Sequence, residues 1–329
     1  MLITHTNSVY SENPTLLSYA PKPQYAHQVS DGGVMVKKGI KLMTMEMVQY
    51  VLDGKFGAAQ GTREFVNKLT TDKGIQKVGM ILASGGNPWL GYISAGQRSD
   101  NYPVYKVVPM GLTQVAAGHL ANQIGHFDYI ATDSTSCISG HSAWYNAQNL
   151  MKLGALDAVI VVSTDNGLAE EYLTVFTDHN LVRLADEEGR LGPMKFRVGQ
   201  GCNITVFESH TMVRHTGNEP IAELMDMCIA SEKHVNPLGI SESGEGYGKV
   251  IDTVYTGGLN FIKTHSTFSE DNKIEDIVIK DRFGDIPTID YKLRIGHTMG
   301  ASTAIETALA IQEQSGRFLS LGAGMGNVF

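Results

Sequence analysis

Apolar residues recur along this 329-residue chain with two different periods, and the switches between them lay out its elements. KLMTMEMVQYVL (41–52) carries them at helical spacing and predicts an amphipathic helix. KVGMILA (77–83) is an unbroken apolar run that stops on SGGNP, as a buried strand entering a turn does. Helical spacing returns over 107–123, and a short strand follows over 129–134. Another helix is predicted over 140–153, with Ala143, Ala147, Leu150 and Met151 on one stripe and Gly154 as its stop. AVIVVS (158–163) is apolar on both faces, the pattern of a central strand.

Residues 1–35 are rich in turn formers, with one short strand over 2–4, and 166–195 is polar and irregular. Beyond it the pattern predicts a strand over 203–207, an element over 220–229, a helix over 248–254 and a strand over 259–263. DYKLRI (290–295) alternates like a strand, 300–314 is an alanine-rich helix, and FLSLGAGMGNVF runs from a strand into a glycine-rich turn. Strands and helices alternating in both halves predict an α/β fold with sheets covered by helices.

Composition adds exclusions. The chain is 42% hydrophobic and 18% charged, with 36 glycines, an ordinary globular balance. No run approaches the roughly 18 apolar residues of a membrane span. MLITHTNSVYSENP lacks the basic start and apolar centre of a signal peptide, so the expected location is cytoplasmic. A formal charge of −8 is the wrong sign for a nucleic-acid binder, though it is compatible with a local basic patch. Cys137, Cys202 and Cys228 show no paired spacing, which speaks for a reducing compartment rather than a disulfide framework.

Cys137 lies in TSCISGHSAW, between a predicted strand and a predicted helix. That corner puts its sulfur at a helix N-terminus, where unpaired N–H groups favour an anion and lower a thiol pKa. The plain alternative is a small buried hydrophobe, the reading also given to Cys202 and Cys228. His265 (FIKTHSTFSEDN) and His297 (KLRIGHTMGAS) sit in turns directly after strands. Each alone reads more readily as structural, but three such corners together suit a nucleophile with its proton handlers or oxyanion donors. Zinc held by the same three side chains stays open, without any short ligand spacing to support it.

Four segments, in order, resemble the decarboxylating Cys-His-His β-ketoacyl-ACP synthases of the thiolase superfamily. DSTSCISGHSAWYNAQNLMKLGALDAVIVVST resembles their nucleophile segment, and THSTFSEDN resembles their His-Gly-Thr-x-Thr motif. KLRIGHTMGASTAIE is similar to their Lys-x-x-x-Gly-His-x-x-Gly-Ala run with its later glutamate, and GAGMGN to their Gly-Phe-Gly-Gly-Thr-Asn. FRVGQGCNITVFES is similar to the strand taken to open the second half. The resemblance is strong over roughly 100–329 and weaker over 35–100, where GIKLMTMEMVQYVL fits the family's first helix.

The resemblance implies a duplicated, five-layered α-β-α-β-α thiolase-like fold. The first half would span 1–165, a crossover 166–195, and the second half 196–329. It implies that Cys137 holds an acyl chain as a thioester while malonyl-ACP loses CO₂ and its carbanion attacks. His265 and His297 would stabilise the enolate, Lys292 would tune them by charge, and Glu306 would pair with Lys292. Oxyanion N–H groups would come from Cys137 and Ala323, and Thr267 and Ser269 would meet the pantetheine arm. No metal or organic cofactor is expected, and the implied partners are an acyl carrier protein and a second subunit, as homodimer or heterodimer. Arg63, Arg98 and Lys106 are candidates for the basic patch that an acidic carrier requires, with ordinary solvated surface as the alternative.

The chain departs from the family pattern at several places. Ser266 replaces a glycine, Asp271 and Asn272 stand near a displaced aspartate, Gln200 replaces a glutamate, and Ala323 replaces the gating phenylalanine. The chain is short of the family norm, chiefly in the first half, and ends inside an expected final strand. Two other functions compete. A non-catalytic, chain-length-determining partner of a heterodimeric ketosynthase would fit the missing gate but not the retained Cys137. A plain acyltransferase or degradative thiolase would keep the cysteine but not the second-half pattern, and a thiolase would require a second cysteine in the C-terminal half, where none follows Cys228.

Overall fold

A computed structural model describes residues 1–10, 17–18, 44–55, 58, 60–71, 76–86, 112–167, 172, 175–176, 184–185, 197–231, 241, 243–268, 271–324 and 327–328. The strands of the first half are β1 (Leu2–Tyr10), β2 (Leu17–Ser18), β3 (Val78–Ala83), β4 (Tyr129–Asp133), β5 (Ala158–Asn166), β6 (Leu184–Ala185) and β7 (Gln200–Glu208). After them come β8 (Ala222–Glu223), β9 (Ala230–Ser231), β10 (Phe261–Lys263), β11 (Thr288–Ile289), β12 (Phe318–Ser320), β13 (Ala323–Gly324) and β14 (Asn327–Val328). Helices α1 (Thr44–Leu52), α2 (Thr62–Thr71), α3 (Thr113–Ile124) and α4 (Ser139–Lys152) belong to the first half. They are followed by α5 (His210–Thr216), α6 (Glu245–Val254), α7 (Asp271–Phe283), α8 (Lys292–Ile295) and α9 (Ser302–Glu313).

The first sheet has the order β4-β3-β5-β7-β1-β8. β3 runs parallel to β4 and β5, whereas β7 is antiparallel to both β5 and β1. Every residue of β5 and β7 is buried, because helices cover both faces of the sheet. The strand period of two sorts their side chains. Met80, Leu82, Ile160, Val162, Ile204 and Val206 face one way and pack with Val48, Val51 and Leu120 of α1 and α3. Ile81, Val159, Val161 and Phe207 face the other way and meet Ala143, Trp144 and Ala147 of α4 and Ala304 of α9.

A second, parallel sheet has the order β11-β10-β12. Its Phe261 packs with Ile305 and Leu309 of α9, and Ile262 packs with Val250, Ile251 and Val278 of α6 and α7. Helix α9 touches β7 and β1 on one side and β10 on the other, and residues 302–310 are all buried. Its alanine-rich sequence follows from that position: through residue 310 it has no solvated face, and small side chains let two sheets close on it. The layers therefore read α, β, α, β, α, the five-layered arrangement that the resemblance implies.

Several expectations are corrected. The first strand covers Leu2–Tyr10 rather than 2–4. Residues 292–295 form a short helix, not a strand. The 220–229 element reduces to the two residues of β8. Strand β7, expected to open the second half, lies inside the first sheet between β5 and β1, since its inward residues complete the core of that sheet. Helices α2 and α7 had no counterpart in the hydrophobic pattern as read.

Candidate active site

Cys137 sits on a 3₁₀ turn, Ser136–Ile138, between β4 and α4. Asp133, the last residue of β4, braces this corner by accepting from Ser142 Oγ (2.8 Å), Asn146 Nδ2 (2.6 Å) and Thr135 Oγ1 (3.2 Å). Ser139 Oγ accepts from Thr135 N at 3.0 Å and donates to the Ser136 carbonyl at 2.7 Å. The expected lowering of the thiol pKa is overturned. Burial pushes Cys137 above its ordinary value, opposed by the Ser136 hydroxyl at 3.6 Å and by the charge of Lys292. Cys202 lies wholly buried in the core as expected, while Cys228 is half-buried in a connecting segment.

The second half repeats the corner. A 3₁₀ turn, Met299–Ala301, leads into α9, and Ser302 Oγ accepts from Thr298 N at 3.0 Å. Ser136 and Met299 hold the same place in the two turns and share a left-handed backbone, with φ of 59° and 51°. Gly300 thereby corresponds to Cys137. The two corners pack on each other, His141 N donates to Thr303 Oγ1 at 3.1 Å, and a Cβ on Gly140 would lie 2.8 Å from that of Ala304.

His265 follows β10, and its backbone N–H donates to Glu275 Oε1 at 2.6 Å. The N–H of Ser266 donates to Oε2 at 2.9 Å. Asn272 Oδ1 accepts from the N–H groups of Thr267 and Phe268 at 2.7 and 3.0 Å, so Asn272 closes the loop where the family's aspartate is displaced. Among the described residues, all four non-glycine residues with positive φ are Ser136, Ser266, Phe268 and Met299. They flank Cys137, His265 and His297, which is where strained backbone concentrates when a fold fixes a site.

His297 follows α8. Its N–H donates to the Arg197 carbonyl at 2.6 Å, and its own carbonyl accepts from Gly199 N at 2.9 Å. The rings of His265 and His297 stand edge to face, with centroids 6.1 Å apart. Burial, reinforced by the charge of Lys292, holds both imidazoles neutral: His265 lies well below its ordinary value and His297 is lowered to about 3. Met299 N donates to His297 Nδ1 at 3.0 Å, which places the proton of that ring on Nε2.

Beneath the histidines lies a buried charge cluster. Lys292 Nζ is 2.7 Å from Glu306 Oε1 and donates to the His265 carbonyl. Lys263 Nζ is 3.2 Å from Glu306 Oε2 and donates to the Leu321 carbonyl at 2.6 Å. Glu275 interacts electrostatically with both ammonium groups. Lys292 and Glu306 are both fully buried. Asp165 forms another buried node, its Oδ2 accepting from Gly85 N (2.8 Å) and Gly300 N (3.0 Å), with burial raising its pKa to about 6.

Ala323 is buried on β13, which packs against the Cys137 turn; a Cβ on the next residue, Gly324, would lie 3.2 Å from Cys137 N. Thr267 is half-buried, and its hydroxyl is 3.4 Å from Asn272 Oδ1. Ser269, Arg98 and Lys106 lie outside the described residues. Arg63 is bonded to Asp53 (2.7 Å) and Gln49 (2.8 Å), so its charge is already paired. Among the described residues no group of three or more His, Cys, Asp or Glu is arranged to hold a metal ion. None of their helices is long and apolar enough to cross a membrane. Lys263, Glu275 and Asp165 have no role in the sequence reading, whereas Asn272 stands where that reading places a displaced aspartate. A lysine ending the apolar FIK run, and an aspartate ending AVIVVSTD, are the signals that mark two of them.

No protein-family profile matches the chain. In sequence it is similar to 3-oxoacyl-[acyl-carrier-protein] synthase 2 of Staphylococcus aureus, with 22% identity over 292 residues, 80% of this chain and 70% of that protein. In structure it is similar to the ketosynthase of a type II PKS solved in complex with its acyl-carrier protein. That match has a TM-score of 0.68 and 17% identity, and covers 87% of this chain and 84% of the other. The ishigamide ketosynthase/chain length factor gives a TM-score of 0.69 at 15% identity, covering 98% and 97%. The fold is that of the thiolase-like ketosynthases. The chain resembles condensing enzymes of the β-ketoacyl-ACP synthase type in its motifs and in its relatives.

Proposed function

We propose that the chain is a β-ketoacyl-ACP synthase extending a Cys137-bound acyl group with malonyl-ACP in fatty-acid or polyketide-type elongation. The observation that carries this reading is the pair of neutral histidines, 6.1 Å apart, set by Lys292 and Glu306. Cys137 Sγ attacks an acyl thioester; the acyl–sulfur bond to the carrier breaks, and the carrier leaves as a thiol with the proton from Cys137. Covalent holding splits a hard step in two and keeps the electrophile beside the next reactant. Malonyl-ACP then loses CO₂, and the electron pair passes into the thioester as an enolate. His297, protonated on Nε2, and His265 donate to that oxygen, each such donor being worth ~3 kcal/mol. The enolate carbon attacks the acyl carbonyl and expels Cys137, which takes up a proton. Backbone N–H groups of Cys137 and Ala323 serve as the oxyanion site, and Thr267 and Ser269 as contacts for the pantetheine arm.

The reaction needs no resident cofactor. Its partners are an acyl carrier protein, of the kind named for the staphylococcal relative and present in the type II PKS complex, and a second subunit, identical or related. A second reading, the non-catalytic partner of a heterodimeric ketosynthase, is favoured by Ala323 in the gate position and by the likeness to a ketosynthase/chain length factor. Intact mass after incubation with short and medium acyl thioesters separates the two. A gain of one acyl group, absent in Cys137→Ala and discharged by malonyl-carrier as a β-ketoacyl product, supports the synthase. No gain with any donor favours the partner subunit.

A further inference from the structure

Strand β10 reads Phe-Ile-Lys, and its lysine is as deeply buried as the two residues before it. A buried ammonium is tolerated only when paired and fully hydrogen-bonded, so its partners were selected by the fold rather than met by chance. Lys263 has two that matter. One is Glu306 Oε2 at 3.2 Å, and the other is the Leu321 carbonyl at 2.6 Å. Leu321 N returns a hydrogen bond to the Lys263 carbonyl at 2.9 Å, so side chain and main chain grip the same residue.

Lys292 takes the other oxygen of the same carboxylate and spends its remaining reach on the His265 carbonyl. The two lysines therefore divide one glutamate and fasten different loops to it. Lys292 fastens the loop of His265. Lys263 fastens Leu321, from which the chain continues through Ala323 to Gly324 against the Cys137 turn. Glu306 projects from α9, whose N-terminal corner follows His297, so one buried carboxylate refers three loops to one point.

We propose that Lys263 is a positioning residue that holds the Leu321–Gly324 segment against the Cys137 turn, while Lys292 does the same for the His265 loop. The geometry stands on its own; only the kinetic readout below rests on the proposed synthase activity. If that activity holds, Lys263 governs loading of Cys137 and Lys292 governs decarboxylation.

The experiment is amide hydrogen exchange on the full chain, comparing wild type with Lys263→Met and Lys292→Met. Lys263→Met should speed exchange about tenfold or more at 321–324 while leaving 264–268 within about twofold of wild type, and Lys292→Met should do the reverse. Unchanged exchange at 321–324, or an equal rise in both segments, overturns the proposal. Should Lys263→Met fail to fold, Lys263→Gln, whose polar end is one bond nearer the backbone and withdraws the donor from the Leu321 carbonyl, carries the same comparison. In parallel, Lys263→Met should slow acyl loading of Cys137 about tenfold and spare malonyl decarboxylation. A wild type that never loads refutes the synthase, and the exchange comparison still decides the role of Lys263.

Discussion

Gly300 stands in the second half where Cys137 stands in the first. Both follow a left-handed residue, Ser136 or Met299, and both precede a serine whose hydroxyl accepts from the threonine N–H four residues upstream. One corner presents a thiol and the other presents nothing, for a steric reason. A Cβ on Gly300 would fall 1.9 Å from Gly85 N, and its own N–H is committed to Asp165. The second corner is closed against a side chain, so of these two corners only the first can present a thiol.

Gly300→Ala must therefore displace backbone, not a flexible side chain. It should destabilise by ~3 kcal/mol or more, at the upper end of overpacking costs. Gly118→Ala is the control: it lies within α3 with nothing inside 4 Å of the new methyl, and should stabilise by about 0.5–1 kcal/mol. Urea unfolding of both variants measures the contrast.

Glu306→Gln leaves two buried ammonium groups with no full countercharge. Breaking a buried pair on one side costs ~3–5 kcal/mol, and the loss here should reach at least that. Adding Lys263→Met removes one stranded charge, so the double variant should be more stable than Glu306→Gln alone. A double-mutant cycle by denaturant unfolding, with a coupling of at least ~1 kcal/mol, checks this.

His297 gives the stability a pH dependence of known sign. Its folded pKa of about 3 lies below the unfolded value of ~6.5, so between these limits the unfolded chain binds the extra proton. Its contribution is complete above pH ~6.5 and falls by ~1.4 kcal/mol per pH unit down to pH ~3. Asp165, raised to about 6, acts in the opposite sense between there and its unfolded value, and is common to any variant of His297. The stability difference between wild type and His297→Asn should therefore shift against wild type as pH falls from 6 to 4. A pH-independent difference would refute the neutral, buried imidazole.

Ser266 holds φ = 40° where the family has glycine. Left-handed backbone costs a side-chain residue ~1–2 kcal/mol, but Ser266 Oγ donates to Thr264 Oγ1 at 2.9 Å and recovers part of it. Ser266→Gly should change stability by less than about 1 kcal/mol, because relieved strain is offset by the lost hydrogen bond and a freer unfolded chain. Thermal unfolding, with Ser266→Ala as the variant that keeps the strain and loses the bond, separates the two contributions.

The corners carrying Cys137, His265 and His297 were legible because each combines a local break in hydrophobic period with a reactive residue. The repeat linking the Cys137 corner to the one after His297 was written in the chain too, as TSCIS and TMGAS, but five residues are too few to stand out by eye. What stayed hidden depends on distant partners. THTNSV reads as turn, yet it is strand because Thr6 meets Thr205 at 2.9 Å and Asn7 meets Thr62 at 2.6 Å, contacts that satisfy buried polar groups. KLRI alternates like a strand but closes into a helical turn, with the Asp290 carboxylate taking the Lys292 N–H at 2.8 Å. Lys263 reads as an ordinary strand end because its counterion, Glu306, lies far along the chain on α9. The placement of β7 in the first sheet needed its pairing with β1, which local pattern does not encode.

The buried quartet of Lys263, Lys292, Glu275 and Glu306 sums to zero formal charge and lies out of water. Mobile ions, which screen exposed charges over about 8–10 Å at ordinary ionic strength, have no purchase on it. On the proposed synthase reading, salt would act on the arrival of a carrier at the surface, because the electrostatics beneath the histidines travel with the fold and not with the buffer.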